Sequence, residues 1–418
     1  MLEEILNKEN MTLALKRVIS NKGACGVDGM SVEELRPYIN LHWAFIRVEL
    51  LDGSYKPSPV KKVEIPKPDG GKRMLGIPTV LDRLIQQGIA QKLSELFDKD
   101  FSNSSFGFRP NRSAHQAVFQ AREYINQGYR KVIELDLEKF FDNVNHDRLM
   151  RILARRIEDK RVLKLIRKYL SCGIMFNGII SSRDSGTPQG SPLSPILSNI
   201  VLDELDKELE RRELKFIRYA DDISIYVKSY DAANRVKERI TKFIEETLKL
   251  KINQEKSKIS RAGDSNLLGF SFYYDKNGCQ IRVSERSKQR MKKEIKRLTS
   301  RRWSISLEDR LTSLNQKLRG WVNYFRIAKC QNFLKNIEEW TRFRLRMCVY
   351  KTWKRVRTRI KNFLGLGLCK DKAIAYANTR KSYCRTAHSF ILTTTLNNQY
   401  FKDKGFINLV SEYLKWQS

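Results

Sequence analysis

Three aspartates define the chemistry open to this chain. Asp136 follows the run Lys-Val-Ile-Glu-Leu at 131–135, which reads as a short buried strand, so its carboxylate stands at a strand's C-terminal end, where ligands collect in α/β sites. Asp221 and Asp222 lie between the apolar runs 216–219 and 223–227, which read as the arms of a β-hairpin with both acids at its tip. Taken alone, an Asp-Asp pair is equally ordinary turn chemistry. Three converging carboxylates repel one another unless a cation sits among them, and their hard oxygens suit Mg²⁺. Two such ions can activate a 3′-hydroxyl and stabilise the leaving oxygen of a phosphoryl displacement. Asp136, Asp221 and Asp222 are therefore expected to form a two-metal nucleotidyl-transfer site.

A site of this kind needs a sheet to hold it and helices to back the sheet. Residues from about 90 to 275 mix strand-like runs with helical spacing and form the candidate α+β core. One of its helices starts near Asn145 and carries Leu149, Ile152, Leu153 and Ile157 on one face. Ahead of the core lie Asn21-Lys22-Gly23, Val27-Asp28-Gly29 and a Pro/Gly-rich stretch at 57–78. Beyond it, Leu311, Leu314, Leu318, Trp321, Val322 and Phe325 recur at helical steps, and Phe333, Leu334, Ile337, Trp340 and Leu345 continue them. Gly365-Leu366-Gly367 reads as a helix stop, followed by a small basic segment with Arg380, Lys381, Tyr383 and Arg385.

The formal charge of +33 points to a polyanionic partner. It is unevenly spread: residues 286–361 hold 24 Lys/Arg against 5 Asp/Glu, and four of the six Trp. The seven cysteines are scattered, with no Cys-x-x-Cys pair, so neither a disulfide framework nor a structural zinc site is expected. Glu3, Glu4, Lys8, Glu9 and Lys16 interrupt any leader-like apolar run, and no stretch approaches the roughly 18 apolar residues of a membrane span. The expected setting is the cytoplasm, with nucleoid association on DNA and no membrane partner.

Five ordered segments make the sequence recognisable: Asp136 to Phe141, Gly-Thr-Pro-Gln-Gly at 186–190, Tyr-Ala-Asp-Asp at 219–222, Asn253 with Lys256-Ser257, and Leu268-Gly269-Phe270. In this order they resemble the reverse transcriptase motif series. Phe-Gly-Phe-Arg-Pro at 106–110 with His115, and Ile-Pro-Lys-Pro at 65–68 with Arg73 and Ile77-Pro78, narrow the resemblance to group II intron-encoded proteins. It covers nearly the whole chain. It implies an α+β right-hand polymerase: fingers, a palm built on an antiparallel sheet, an α-helical thumb and a small C-terminal DNA-binding domain. The implied divisions are 1–90 for N-terminal extension and fingers, 91–275 for the fingers/palm core, 276–364 for the thumb (the maturase X domain) and 365–418 for the basic D domain.

The resemblance also assigns roles. Asp136, Asp221, Asp222 and the backbone carbonyl of Leu137 would hold two Mg²⁺, with Mn²⁺ as a substitute. Lys67 and Arg73 would grip the triphosphate of a dNTP, a point charge and a fork-shaped donor respectively. Gln189 would line the nucleotide pocket, Phe141 would exclude a ribose 2′-OH, and Lys256 would approach the phosphates late in the reaction. Leu268, Gly269 and Phe270 would support the primer end, while Gly23, Arg109 and Arg112 would meet template RNA. Singly, each has a plainer reading: Lys67 and Arg73 flank a hairpin turn, Phe141 is a core aromatic, Lys256 a surface lysine. Their order along the chain outweighs those readings jointly. Ser191 departs from the family, which commonly has a second Gly there; slightly altered pocket geometry is expected.

The implied function is RNA-directed DNA synthesis combined with binding of a group II intron RNA to assist splicing and retrohoming. Its partners would be that RNA, an RNA template/DNA primer duplex, dNTPs and target DNA. Without paired Cys/His ligands, the sequence resembles the short bacterial form of class C introns, which lacks an endonuclease domain. Two other readings share the motifs: a non-catalytic splicing chaperone, and a reverse transcriptase recruited by its host for repair or defence.

Overall fold

The computed structural model of the chain describes residues 1–66, 70–176, 179–181, 185–187 and 190–416. The chain folds as two compact units, Met1–Ser265 and Asn266–Ser418. The expected division at 275/276 lies ten residues from this break, and those at 90/91 and 364/365 fall inside the helices Val80–Phe97 and Val356–Gly365.

The first unit contains two four-stranded sheets. One is built from β1 (Val60–Pro66), β2 (Lys72–Ile77), β4 (Ile174–Phe176) and β5 (Ile179–Ser181), in the order β2-β1-β4-β5. The other is antiparallel throughout. It runs β6 (Lys215–Tyr219), β7 (Asp222–Val227), β3 (Lys131–Leu135), β8 (Lys258–Arg261). Val132, Ile133 and Leu135 of β3 are buried, as are Phe216, Ile217, Ile223, Ile225 and Tyr226 on its neighbours. These near-continuous apolar runs suit strands covered on both faces. The helices Ala114–Asn126 and Ser194–Arg211 pack on β6, and Tyr230–Lys242 packs on β3, β7 and β8.

Helix starts follow capping chemistry. Asn145 caps His146–Ala154 as the periodicity predicts, Ser229 caps Tyr230–Lys242, and Ser113 with Gln116 forms a full capping box. The helix Ser194–Arg211 starts with Leu193 in the cap position, leaving Pro195 in the first turn, where its missing N–H costs nothing. Buried Asp82 ties several segments together: it accepts from Tyr55 and Thr79 hydroxyls (2.8 and 2.7 Å) and from the Ser58 N–H (3.1 Å).

The second unit opens with the hairpin β9 (Phe270–Asp275) and β10 (Gly278–Val283), then becomes wholly helical. Leu311, Leu314, Leu318 and Val322 are buried on the helix Leu307–Phe325, and Leu334, Ile337 and Leu345 on Gln331–Thr352. Trp321 packs at a tilt on Phe325 and Phe333 with centroids 4.5 and 5.5 Å apart, inside this unit. The C-terminal segment docks within the same unit: Leu409 N–H donates to Glu338 (2.9 Å) and Tyr413 hydroxyl to the Ala328 carbonyl (2.9 Å). Among the described residues no helix is long and apolar enough to cross a membrane.

Candidate active site

Register brings the three aspartates to one end of one sheet. Leu135 of β3 pairs with Ile223 of β7, so the next step sets Asp136, just past β3, beside Asp222, the first residue of β7. Tyr219 pairs with Asp222, leaving Ala220 and Asp221 as a two-residue turn. Ala220 takes φ +58, the left-handed region a residue with a Cβ seldom enters.

The turn is held from behind. Arg218, fully buried, gives its guanidinium to fully buried Asp206 through three contacts of 2.6–3.0 Å. Its Nη1 donates to Asn199 Oδ1 (2.8 Å) and to the Ala220 carbonyl (3.0 Å). Asn199 in turn donates to the Gly107 carbonyl (3.0 Å). Gly107 presses on the turn so closely that a Cβ would lie 2.1 Å from the Ala220 nitrogen. The backbone beside it is also paired: Phe106 N–H donates to Arg218 O and Arg218 N–H to Ser104 O, both at 2.9 Å.

Asp136 is fixed by the segment before β8. Its N–H donates to Ser257 Oγ (3.0 Å), and its carbonyl accepts from Asn253 N–H (2.8 Å). Leu137 bridges Ile252, and Lys256 Nζ stands 3.9 Å from Asp136 Oδ2. Asp222 presents surface to solvent, yet neighbouring groups crowd its carboxyl. Desolvation there, then the like charges of Asp221, Asp136 and Glu134, push its carboxyl up to about 6 against the pull of Lys256. Desolvation also raises Asp221; the charge of Asp136 adds to this, while Arg73 and Arg218 oppose it.

Among the described residues no three His, Cys, Asp or Glu side chains are already gathered tightly enough to hold an ion. The donor set nonetheless fits a hard divalent cation: three carboxylates share a sheet end, and desolvation and mutual repulsion raise the cost of their negative charge there.

Beyond the acids, Phe141 lies in the short helix Phe140–Asn143, half-buried, with its ring edge-on to Phe140 at 5.3 Å. Arg73 sits on β2, paired with Ile65, and is exposed. Lys67 and Gln189 lie outside the described residues. Gly190 abuts β2, where a Cβ would be 3.1 Å from the Gly76 carbonyl. Ser191 is buried; its hydroxyl donates to Gln86 and accepts from Leu193 N–H (3.2 Å), bonds a glycine could not make. Gly23 is packed at Arg83, whose guanidinium also bonds the Ala24 and Pro78 carbonyls.

Arg109, expected to meet template RNA, is bonded within its own segment. Its guanidinium is committed to the Asp98 carboxylate and to the Asp98, Ser102 and Ser105 carbonyls, and its side chain is 5% exposed. It therefore braces its own loop. Arg112 is half-buried, bonded to Asn103 (2.8 Å) over the Phe106 ring. In the second unit Leu268 and Gly269 take φ +52 and +86. The Tyr324 hydroxyl donates to Leu268 O (2.9 Å), Ser287 Oγ donates to Gly269 O (3.0 Å), and Phe270 packs on Tyr324 and Phe325. Arg218, Asn199 and Asp206 escape a reading of the sequence because their partners are far apart along it. The one local signal is an arginine inside an otherwise apolar strand.

An antiparallel sheet with three acids at one end, with Lys256 and Arg73 acting on their charge, is an arrangement suited to phosphoryl-transfer chemistry. Residues 65–368 match the family described as reverse transcriptase (RNA-dependent DNA polymerase). Protein YkfC of Escherichia coli (strain K12) is 33% identical over 312 residues, covering 65% of this chain and 81% of its own length. Group II intron-encoded protein LtrA of Lactococcus lactis subsp. cremoris is 29% identical over 380 residues, 73% of this chain; the match spans 61% of LtrA. The putative COX1/OXI3 intron 2 protein of Saccharomyces cerevisiae is 29% identical over 326 residues, 62% of this chain and 37% of its own length. The chain belongs to the reverse transcriptase family and is an RNA-directed DNA polymerase; two of these three relatives are named as intron proteins.

Proposed function

We propose that this chain extends a DNA primer along an RNA template by two-metal nucleotidyl transfer, and that it also binds a group II intron RNA to assist its splicing and retrohoming. Asp136, Asp221, Asp222 and the Leu137 carbonyl hold two Mg²⁺, for which Mn²⁺ can substitute. When bound, the ions supply Lewis acidity for the primer 3′-hydroxyl and the leaving pyrophosphate. Lys67 and Arg73 grip the triphosphate, and Lys256 adds a cation to the phosphates. Gln189 and Phe141 shape the nucleotide pocket, with the Phe141 ring filling the space of a 2′-OH. Gly23 and Arg112 meet the template, and Leu268, Gly269 and Phe270 support the primer end. Catalysis here is positioning and charge stabilisation more than covalent chemistry.

The observation that carries this reading is the β3–β7 register, which sets Asp136 beside Asp222 on one sheet end. The maturase role is supported by the basicity of residues 286–361 and by the likeness to an intron-encoded protein; target DNA is the partner proposed for the last segment, 365–418. The test is primer extension on an RNA template with Mg²⁺ and dNTPs. Wild type is expected to extend; Asp222→Asn is expected to lose extension by at least about 10³-fold while binding RNA as before. Absence of extension by wild type on every template refutes the catalytic half.

A further inference from the structure

Phe141 can select a sugar only if it stands still, and its ring is only half-buried. Its backbone is what is fixed. The Phe141 carbonyl accepts from Thr187 N–H (2.6 Å), the Val144 carbonyl accepts from Gly186 N–H (2.8 Å), and Asn145 bridges Ser185 in antiparallel fashion. Gly186 has φ +82, and a Cβ there would lie 2.7 Å from both the Phe141 and Asp142 carbonyl oxygens. The two segments are thus laced together with no slack.

The Gly186 carbonyl is met by His146 Nε2 at 2.7 Å, and His146 is 2% exposed. A buried carbonyl needs a donor, so Nε2 carries the proton in this contact. His146 is also the first residue of the helix His146–Ala154, whose cap, Asn145, accepts from Arg148 N–H (2.9 Å). The imidazole therefore connects a rigid helix start to the strap that holds Phe141.

We propose that His146 is a positioning residue for sugar selection: its Nε2–H, bonded to the Gly186 carbonyl, holds Gly186-Thr187 and through them the Phe141 backbone at the spacing that separates deoxyribose from ribose. The inference rests on Phe141 acting as the gate. Without the donor the Gly186 carbonyl is left unpaired, the strap shifts, and the ring no longer fills the 2′-OH space. Shifts well under an ångström matter at such a contact.

The experiment compares kcat/KM for a dNTP and the matching rNTP in single-nucleotide extension, with melting temperature measured alongside. Phe141→Ala is expected to cut the dNTP/rNTP ratio by about 10²-fold. His146→Gln places an amide donor near the Nε2 position and should stay within about threefold of wild type; His146→Asn is too short to reach Gly186 and should lose at least about tenfold. His146→Phe, apolar and of similar size, should behave as Asn does and serves if Asn does not fold. Equal ratios in the Gln and donorless variants overturn the proposal while leaving the gate intact. An unchanged ratio in Phe141→Ala removes the gate, and with it the proposal.

Discussion

A carboxyl pushed up to about 6, as that of Asp222 is, holds its proton over a range where an unfolded aspartate, with a pKa of about 3.9, has lost it. Between those limits the folded state binds more protons than the unfolded one, so metal-free stability falls as pH rises from about 4 to about 6. Asp222→Asn removes that penalty. In EDTA the variant is expected to melt above wild type at pH 7.5, with the gap narrowing toward pH 4, even though it no longer extends a primer. A variant that melts below wild type at both pH values would show that repulsion at the tip is not what Asp222 experiences. The placement of the three acids at one sheet end was legible because apolar runs flank each of them and mark a strand end and a hairpin tip. Arg218 and His146 were not: each acts through a bond to a backbone carbonyl or to a residue distant in sequence, which residue type alone does not foretell. The bonds of the Arg109 guanidinium to carbonyls of its own loop were not legible either, because residue type does not show which acceptors the fold brings to it.

The element that matters most is the β6-turn-β7 hairpin, and its conformation depends on a charge pair that no solvent reaches. Removing one partner of such a pair leaves the other charged and uncompensated, which costs about 3–5 kcal/mol, whereas replacing both with apolar residues is often nearly neutral. Arg218→Met should therefore destabilise the fold strongly, and Arg218→Met with Asp206→Leu should recover most of the loss in a denaturant titration. The double variant still lacks the donor to the Ala220 carbonyl and to Asn199, so the left-handed turn at Ala220 loses its side-chain brace. Its primer extension is expected to remain at least about tenfold below wild type despite restored stability. Recovery of both together would make Arg218 a stability device alone. Strands β3, β6 and β7 were legible from their apolar runs and turn residues. The parallel pairing of β1 with β4 was not: Val60 meets Ile174 across more than a hundred residues, and no local pattern encodes such a partner.

At the scale of the whole molecule the dominant fact is charge, and burial sorts it into two kinds. Arg310 is 4% exposed and bonds the Leu298, Ser300 and Trp303 carbonyls, and Arg346 bonds Leu396 O, so these cations fasten the second unit to itself. Arg302, Lys317, Arg319 and Lys335 are exposed on the same unit. The sequence shows the excess of 24 Lys/Arg over 5 Asp/Glu at 286–361 but not which cations are free for phosphate, because each arginine's partner is set by tertiary packing. A cation that neutralises a phosphate releases a counterion and contributes about −0.7 to −0.9 to the slope of log K against log salt. Changing Arg302, Lys317, Arg319 and Lys335 together to Gln should flatten that slope for a structured RNA by up to about 3.6, with little change in melting temperature. Arg310→Gln should do the opposite, lowering the melting temperature through three orphaned carbonyls while the slope moves by less than about 0.3. If the four exposed substitutions leave the slope where it was, the basic face of the second unit is not where RNA binds, and the maturase half of the proposed function loses its physical footing.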